Sequence, residues 1–219
     1  MSAQASEASE ASPAIGIVDY GMGNRRSVEK ALAHVGARAS ITADPDELRA
    51  ADGLIVPGVG SFPAAMRSLR EAGLDRVIRE RAESAVPVFG ICLGMQLLFE
   101  SSVEAGGALG LGLLGGEVRR LDPRGLKLPQ MGWNDVRWQR ETLLNAGLPD
   151  PSVFYHVHSY VPHPAEPDDV LGVSEYGSPF VTVVARDAVF GAQFHPEKSS
   201  THGLALLENF ARICARVAA

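Results

Sequence analysis

The segment around Cys92 has the residue types and spacing of a nucleophile held at a sharp turn. An apolar strand pattern ends in Gly90-Ile91-Cys92-Leu93-Gly94, and a helical pattern begins at once. The flanking glycines allow a tight strand-to-helix turn, the nucleophile-elbow arrangement with sulfur in place of oxygen. A thiol at a helix start gains thiolate character from the positive end of the helix dipole. The N–H of Leu93 faces the same space and is a candidate oxyanion donor.

The two cysteines of the chain have different predicted roles. A cysteine at the end of a strand can simply be a small buried apolar residue. The two glycines and the immediate change from strand to helix favour a nucleophile at Cys92. Cys214 continues the apolar face of a helical pattern near the C-terminus and is interpreted as a core residue. Two cysteines in a chain of this kind do not indicate a disulfide framework.

The sequence around His195 can supply the base that a thiol nucleophile needs. A strand pattern ends at His195, Pro196 stops the strand, and Glu197 follows two residues after the histidine. The Glu197 carboxylate can accept a hydrogen bond from one imidazole nitrogen, which leaves the other nitrogen for the thiol. A surface turn with an incidental charge is the alternative interpretation of these three residues alone.

Two further patterns carry weaker signals. His156 and His158 alternate along a predicted strand and so face the same side, but no cysteine or acid at ligand spacing completes a metal site. Gly21 and Gly23 form a glycine-rich turn after the first strand, but the full Gly-x-Gly-x-x-Gly pattern of a phosphate-binding loop is missing. We therefore predict neither a metal nor a cofactor.

These candidate residues need a scaffold that brings the ends of distant strands together. In the first half of the chain short apolar runs alternate with helical patterns, and the predicted strands are 15–19, 39–42, 54–56 and 86–91. This alternation predicts an α/β fold of three layers, with a mostly parallel, flavodoxin-like central sheet and helices on both faces. Ligands bind at the carboxyl edge of such sheets, which is where Cys92 would lie.

Helix signals and the second half complete the predicted fold. Asp44 is a predicted cap with proline at the first helical position, Ser61 can cap the next helix, and a helix is expected from Gly94 to about Glu100. The second half is rich in strands, some expected to pair antiparallel, at 115–121, 134–138, 153–161, 170–174, 181–185 and 189–194. A last helix is predicted from about 203 to 217.

Composition bounds the class of protein. The chain has 219 residues, a formal net charge of −6 and 46% hydrophobic residues, which suits one globular domain. Without a Lys/Arg run, nucleic acid is not an expected partner, and no apolar run is long enough to span a bilayer. We interpret residues 1–13 as a disordered tail without the features of a secretory signal, and residues 14–219 as the single domain. The cytoplasm is the expected location.

Taken together, the motifs resemble those of a known family. The chain is similar to the class I, triad-type glutamine amidotransferases, and among them to the glutaminase subunits of imidazole glycerol phosphate synthase from histidine biosynthesis. The segments that carry the resemblance, in the order of the family, are 19–24 (DYGMGN), 57–60 (PGVG), 90–96 (GICLGMQ), 127–134 (KLPQMGWN), 155–160 (YHVHSY) and 193–199 (QFHPEKS). The similarity runs from about Ile15 to the C-terminus.

The resemblance implies roles for particular residues. Cys92, His195 and Glu197 would be the catalytic triad that releases ammonia from glutamine through a glutamyl thioester. The N–H of Val59 would join that of Leu93 in the oxyanion hole, in a strand that can rest in a flipped, unproductive state in this family. Glutamine would be held by Gly60, Gln96, Glu104, His158, Ser159 and Tyr160. His156 departs from the family, in which an aromatic residue such as Phe is usual at this position.

The resemblance also implies a partner. In this family a cyclase subunit, a (β/α)8 barrel, forms a heterodimer with the glutaminase and uses the ammonia to make imidazole glycerol phosphate and aminoimidazole carboxamide ribonucleotide. The positions that would face the cyclase are Asn24, Met131, Trp133, Asn134 and Lys198. Met131 and Trp133 could equally be core residues on composition alone. Beside Gly132 and Asn134, they are better interpreted as an exposed patch for a partner.

Two other functions compete with this one. A triad glutaminase of another pathway, such as a pyridoxal phosphate, anthranilate or guanylate synthase, would share Cys92, His195 and Glu197, but the segments 57–60 and 127–134 argue against it. A non-catalytic α/β scaffold would not need all three triad residues, and all three are present.

Overall fold

The structure, a computed structural model, describes residues 12–218, so most of the predicted tail, 1–11, lies outside it. The strands are β1 (Ala14–Val18), β2 (Arg38–Thr42), β3 (Gly53–Gly58), β4 (Val88–Cys92), β5 (Phe99–Ser102), β6 (Ala108–Leu109), β7 (Leu114–Arg120), β8 (Gln130–Trp138), β9 (Ser152–His158), β10 (Tyr160–Pro164), β11 (Val170–Tyr176), β12 (Ser178–Arg186) and β13 (Val189–Ala192). The helices are α1 (Arg25–His34), α2 (Pro45–Ala50), α3 (Phe62–Glu71), α4 (Leu74–Glu83), α5 (Leu93–Leu97) and α6 (Ser200–Ala218).

A nine-stranded mixed sheet forms the centre of the molecule, in the order β2-β1-β3-β4-β13-β12-β11-β8-β9. The strands from β2 to β13 pair parallel, and those from β13 to β9 pair antiparallel. Parallel neighbours need crossover connections, which α1 to α4 supply in the first half. The α/β fold and the antiparallel strands predicted for the second half are therefore confirmed.

The register of the central strands places the candidate site. Gly58 at the end of β3 pairs with Cys92 at the end of β4, and Ala192 at the end of β13 pairs with Ile91 on the other side of β4. Because these three strands run parallel, their carboxyl ends meet at the same edge of the sheet. The segments that follow them therefore surround Cys92.

Helices cover both faces of this sheet. Apolar side chains of α1 and α6 pack on one face, with Leu32 and Phe210 fully buried there. Those of α2 to α5 pack on the other face. Cys214 on α6 is fully buried, as predicted for a core residue, and a Cβ on Gly53 would lie 2.2 Å from its sulfur. None of the helices within residues 12–218 is both long and apolar enough to cross a membrane.

Two predicted elements differ from the structure. The helix expected to reach Glu100 ends at Leu97, because the next residues form β5, which pairs with β7 in a second sheet of order β10-β7-β5-β6. The single strand predicted for 153–161 is two strands in different sheets, β9 and β10, separated at Ser159. In both places the pairing partner of each strand, rather than the local residues, decides the conformation.

The start of α2 offers a test of local stability. Asp44 accepts hydrogen bonds from the N–H groups of Asp46 and Glu47, at 2.8 and 3.4 Å, as its sequence position predicts. We expect Asp44→Ala to lower the free energy of unfolding by about 1 kcal/mol, measured by urea denaturation. Ser61 occupies the same position before α3 but its side chain makes no capping bond, so Ser61→Ala is the matched control. Equal losses from the two changes would contradict this account of α2.

Candidate active site

Cys92 lies at a strained turn between β4 and α5. Its backbone has φ 55° and ψ −112°, a conformation that L-residues rarely adopt. The glycines beside it are required by close packing. A Cβ on Gly94 would lie 1.7 Å from the carbonyl oxygen of Val56, and a Cβ on Gly90 would lie 2.6 Å from the backbone of Gly94. The turn presents the thiol at the carboxyl edge of the sheet, as the nucleophile-elbow pattern predicts.

His195 and Glu197 form a buried pair on the turn after β13. His195 Nδ1 lies 2.9 Å from Glu197 Oε1, and both side chains are almost completely buried. The backbone of His195 is held at both ends, because its N–H donates to the Tyr155 carbonyl and its own carbonyl accepts from the Ser199 hydroxyl. With Nδ1 directed at the carboxylate, Nε2 is the nitrogen left for the chemistry.

Electrostatics favour a charged imidazole in this site. Burial is the largest single influence on the pKa of His195 and lowers it. Cys92 and Glu197 together raise this pKa by more than burial lowers it, so that it reaches about 9. Nε2 makes no hydrogen bond of normal geometry within residues 12–218, so the influence of Cys92 reflects a nearby sulfur rather than a well-formed bond. The arrangement therefore supports an imidazolium at His195.

A pocket of about 350 Å³ opens beside Cys92. Its lining includes Cys92, His195, the two residues predicted for the oxyanion hole and the six predicted for glutamine binding, which are Val59, Leu93, Gly60, Gln96, Glu104, His158, Ser159 and Tyr160. Pro129 and Val157 also line it and were not predicted. These residues come from distant parts of the sequence, and the structure brings them to one cavity.

Two of the pocket residues are held by bonds that the sequence does not reveal. Gln96 Nε2 donates to the Tyr160 carbonyl and to Gln193 Oε1, both at 3.0 Å. Glu104 Oε2 accepts from the N–H of Phe62 at 2.7 Å and so supplies the cap of α3 that Ser61 lacks. Each side chain is thereby fixed before any ligand enters the pocket.

The predicted oxyanion strand, 57–60, continues from β3 along the pocket. The Tyr20 hydroxyl donates to the Pro57 carbonyl at 2.6 Å, and a Cβ on Gly23 would lie 3.2 Å from Pro57. Burial, with a smaller contribution from Cys92, raises the pKa of Tyr20 above its ordinary value. Sequence reasoning missed this contact because Tyr20 and Pro57 are 37 residues apart.

Comparison with known proteins agrees with this geometry. The family model described as "Glutamine amidotransferase class-I" matches residues 16–214. The chain belongs to the class I glutamine amidotransferase family. Within it, the chain is 52% identical over 199 residues to an "Imidazole glycerol phosphate synthase subunit HisH" of Moorella thermoacetica, covering 91% of this chain and 94% of the relative. It is 52% identical over 198 residues to the HisH subunit of Desulfitobacterium hafniense strain Y51, covering 90% of this chain and 93% of the relative.

Solved structures of low sequence identity share the amidotransferase fold. One, described as a crystal structure of glutamine amidotransferase, has a TM-score of 0.72 at 23% identity and covers 91% of this chain and 98% of its own. Another, described as the structure of PurLQS from Thermotoga maritima, has a TM-score of 0.73 at 20% identity and covers 92% and 99%. The fold of this chain is thus shared with solved structures of low sequence identity.

The histidines of β9 are neutral residues in this amidotransferase. Burial lowers the pKa of His156 to about 4, and its ring nitrogens lie 3.1 Å from the Phe154 carbonyl and 2.8 Å from the Thr182 hydroxyl. Burial also lowers the pKa of His158 to about 3, and His158 reaches the pocket. Because both nitrogens of His156 are engaged, the pair is not arranged as a metal site.

The residues predicted for the partner interface lie at or near the surface of the amidotransferase. Met131 and Trp133 on β8 are 64% and 56% exposed, which excludes the alternative that they are core residues. Lys198 is exposed, and Asn24 and Asn134 are half-buried. Asn24 Nδ2 lies 3.5 Å from Glu197 Oε1, so this residue reaches inward toward the carboxylate as well. Met131 pairs with Val157, which lines the pocket, so Met131 lies on the strand next to the pocket.

Proposed function

We propose that the chain is the glutaminase subunit of an imidazole glycerol phosphate synthase, and that it hydrolyses glutamine through Cys92, His195 and Glu197. The observation that carries the proposal is the identity of about half of all residues with HisH subunits over most of both chains. It is supported by a buried His–Glu pair whose histidine lines the pocket beside a strained cysteine. The cytoplasmic location stays a prediction.

In the first half of the reaction, the Cys92 thiolate attacks the carbon of the glutamine side-chain amide. The developing oxyanion accepts hydrogen bonds from the N–H groups of Leu93 and Val59. When the C–N bond breaks, the His195 imidazolium gives its Nε2 proton to the leaving nitrogen, so that ammonia departs and a glutamyl thioester remains. Glu197 holds Nδ1 throughout and stabilises the imidazolium.

In the second half, water replaces ammonia. The neutral imidazole of His195 takes a proton from the water, which attacks the thioester carbon, and the C–S bond then breaks to release glutamate and the Cys92 thiolate. The imidazolium is restored, so the cycle closes without a cofactor. The rest of the glutamine molecule is held during both steps by the pocket residues Gly60, Gln96, Glu104, His158, Ser159 and Tyr160.

The ammonia is proposed to pass to a cyclase subunit docked over the pocket mouth. Met131 and Trp133 would supply the apolar contact, and Asn24, Asn134 and Lys198 the polar contacts around it. The partner, a (β/α)8 barrel, would use the ammonia to make imidazole glycerol phosphate and aminoimidazole carboxamide ribonucleotide. A complex that covers the mouth also keeps ammonia from escaping to solvent.

The proposal is tested by measuring glutamine turnover with and without the cyclase subunit and its ribonucleotide. We expect slow turnover by the chain alone and a large increase with both present. Trp133→Asp should abolish the increase, because it places a charge in the apolar contact. Leu109→Asp, at a residue 69% exposed on the second sheet, is the control and should leave the increase intact. Fast glutamine turnover that does not change when the cyclase subunit and its ribonucleotide are added would refute the proposed coupling.

A further inference from the structure

Gln193 is a fully buried polar residue next to the reacting sulfur. It follows β13 directly, two residues before His195, and its N–H donates to the Thr182 carbonyl at 2.8 Å. Its side chain lies between Gln96 and Cys92, with Oε1 3.0 Å from Gln96 Nε2 and Nε2 3.9 Å from Cys92 Sγ. A buried amide in such a place needs partners for both of its ends.

The orientation of the Gln193 amide is decided by its neighbours. Gln96 Nε2 donates to the Tyr160 carbonyl, which can only accept, so this end of Gln96 must be its NH₂ group. The group of Gln193 that faces Gln96 Nε2 must therefore be its oxygen. It follows that the end of Gln193 directed at Cys92 is the NH₂ group, a hydrogen-bond donor.

A donor at this point favours the charged form of the sulfur. A hydrogen bond to the ionised form of a group stabilises that form, and bonds with a charged partner are the stronger ones. The Val157 carbonyl, also 3.9 Å from Cys92 Sγ, can accept a hydrogen bond from the thiol but cannot stabilise a thiolate. Gln193 thus favours the thiolate, which is the form of the sulfur that attacks.

The same contact determines what Gln96 offers to a ligand. Both hydrogens of its Nε2 are used inside the protein, on Tyr160 and Gln193. The group that Gln96 can present to the pocket is therefore its Oε1, an acceptor. A ligand group beside it must be a hydrogen-bond donor, such as an ammonium or an amide N–H.

We infer that Gln193 supports the reaction in two ways, by donating an N–H to the Cys92 thiolate and by holding Gln96 with its acceptor toward the substrate. The inference rests on the proposed function, in which Cys92 is the nucleophile and glutamine the substrate. It adds a residue outside the triad, the oxyanion hole and the predicted glutamine-binding set.

The test replaces the amide by an apolar side chain of similar length, Gln193→Met, and follows alkylation of Cys92 by iodoacetamide as a function of pH. We expect alkylation at pH 7 to slow about tenfold and its inflection to move up by about one pH unit, since a hydrogen bond to the thiolate is lost. KM for glutamine should also rise, because Gln96 loses its partner. Thr182→Val, which removes a buried hydroxyl bonded to His156, is the matched control and should leave the alkylation profile unchanged.

Other outcomes distinguish the two proposals. If Gln193→Met does not fold, as judged by thermal unfolding, Gln193→Asn keeps an amide but withdraws it from the sulfur, and should slow alkylation in the same direction. A wild-type alkylation profile in a folded Gln193 variant would overturn this inference and leave the proposed function standing. Failure of iodoacetamide to label Cys92 in the wild-type chain would instead count against Cys92 as the nucleophile.

Discussion

Cys92→Ala should abolish glutamine-dependent synthesis by the complex while synthesis from added ammonium salt continues. The substitution removes the atom that is proposed to form the thioester, and we expect the glutamine-dependent rate to fall by at least roughly 10⁴-fold. Ammonia supplied from solution bypasses this step, since the cyclase chemistry does not need the sulfur. The measurement is the rate of imidazole glycerol phosphate formation with each nitrogen source.

Cys214→Ala is the matched control for this experiment. Cys214 is the second buried cysteine, on the helix behind the sheet, and it does not line the pocket. Its replacement should lower the free energy of unfolding, because it leaves a small cavity, but should preserve the rate of synthesis from both nitrogen sources. Loss of the ammonia-dependent rate in Cys92→Ala would contradict the prediction, because it would mean that the strained turn, rather than the thiol, is what the complex requires.

Removing the charge of Glu197 should shift the pH range in which glutamine is hydrolysed. Glu197 and Cys92 raise the pKa of His195 to about 9 against the effect of burial, so the imidazolium that is proposed to protonate the leaving ammonia persists up to about that pH. Above it the wild-type rate should decline. In Glu197→Gln the pKa of His195 falls, the acid is lost sooner, and the alkaline decline should begin at a lower pH.

The loss of rate in Glu197→Gln should be larger than that of a control substitution and smaller than that of His195→Ala. His195→Ala removes both the acid and the base, and we expect it to reduce the rate constant by about 10³-fold or more. Glu197→Gln should cost less, because the orienting partner is altered but the imidazole remains. Glu208→Gln on α6, which removes an exposed carboxylate paired with Arg212, is the control. An unchanged alkaline limb in Glu197→Gln would show that Glu197 does not set the charge of His195.

Short contacts in the folded chain link Glu197 of the proposed triad to the strand predicted to supply an oxyanion donor. Asn24 lies between the surface predicted to meet the partner and Glu197, with 3.5 Å between Nδ2 and Oε1. Tyr20, in the same turn, holds the carbonyl of Pro57 at the start of the oxyanion strand. One turn, 19–24, therefore touches both the carboxylate of the proposed triad and the strand that would supply an oxyanion donor.

The sequence by itself determined the parts of this protein that depend on neighbouring residues. Gly90 and Gly94 around Cys92 predict the sharp turn, because any side chain there would overlap the backbone of the next element. Asp44 followed by Pro45 predicts the start of α2, and Pro196 between His195 and Glu197 predicts their hydrogen bond. In each case the atoms that interact are within a few residues of each other, so local sterics and hydrogen bonding suffice.

Only the tertiary structure decided the parts that depend on strand order and register. Two of these parts are strands, namely the change of sheet at Ser159 and the strand formed after Leu97. Two are hydrogen-bonded contacts, namely the cap that Glu104 provides to α3 and the amide chain from Tyr160 through Gln96 and Gln193 to Cys92. All four join residues that are far apart in the sequence. Apolar residues around these positions suit either helix or strand. What selects among the alternatives is the burial of whole sheet faces and the hydrogen bonding of buried polar groups such as Gln96 and Gln193, and these are properties of the folded chain.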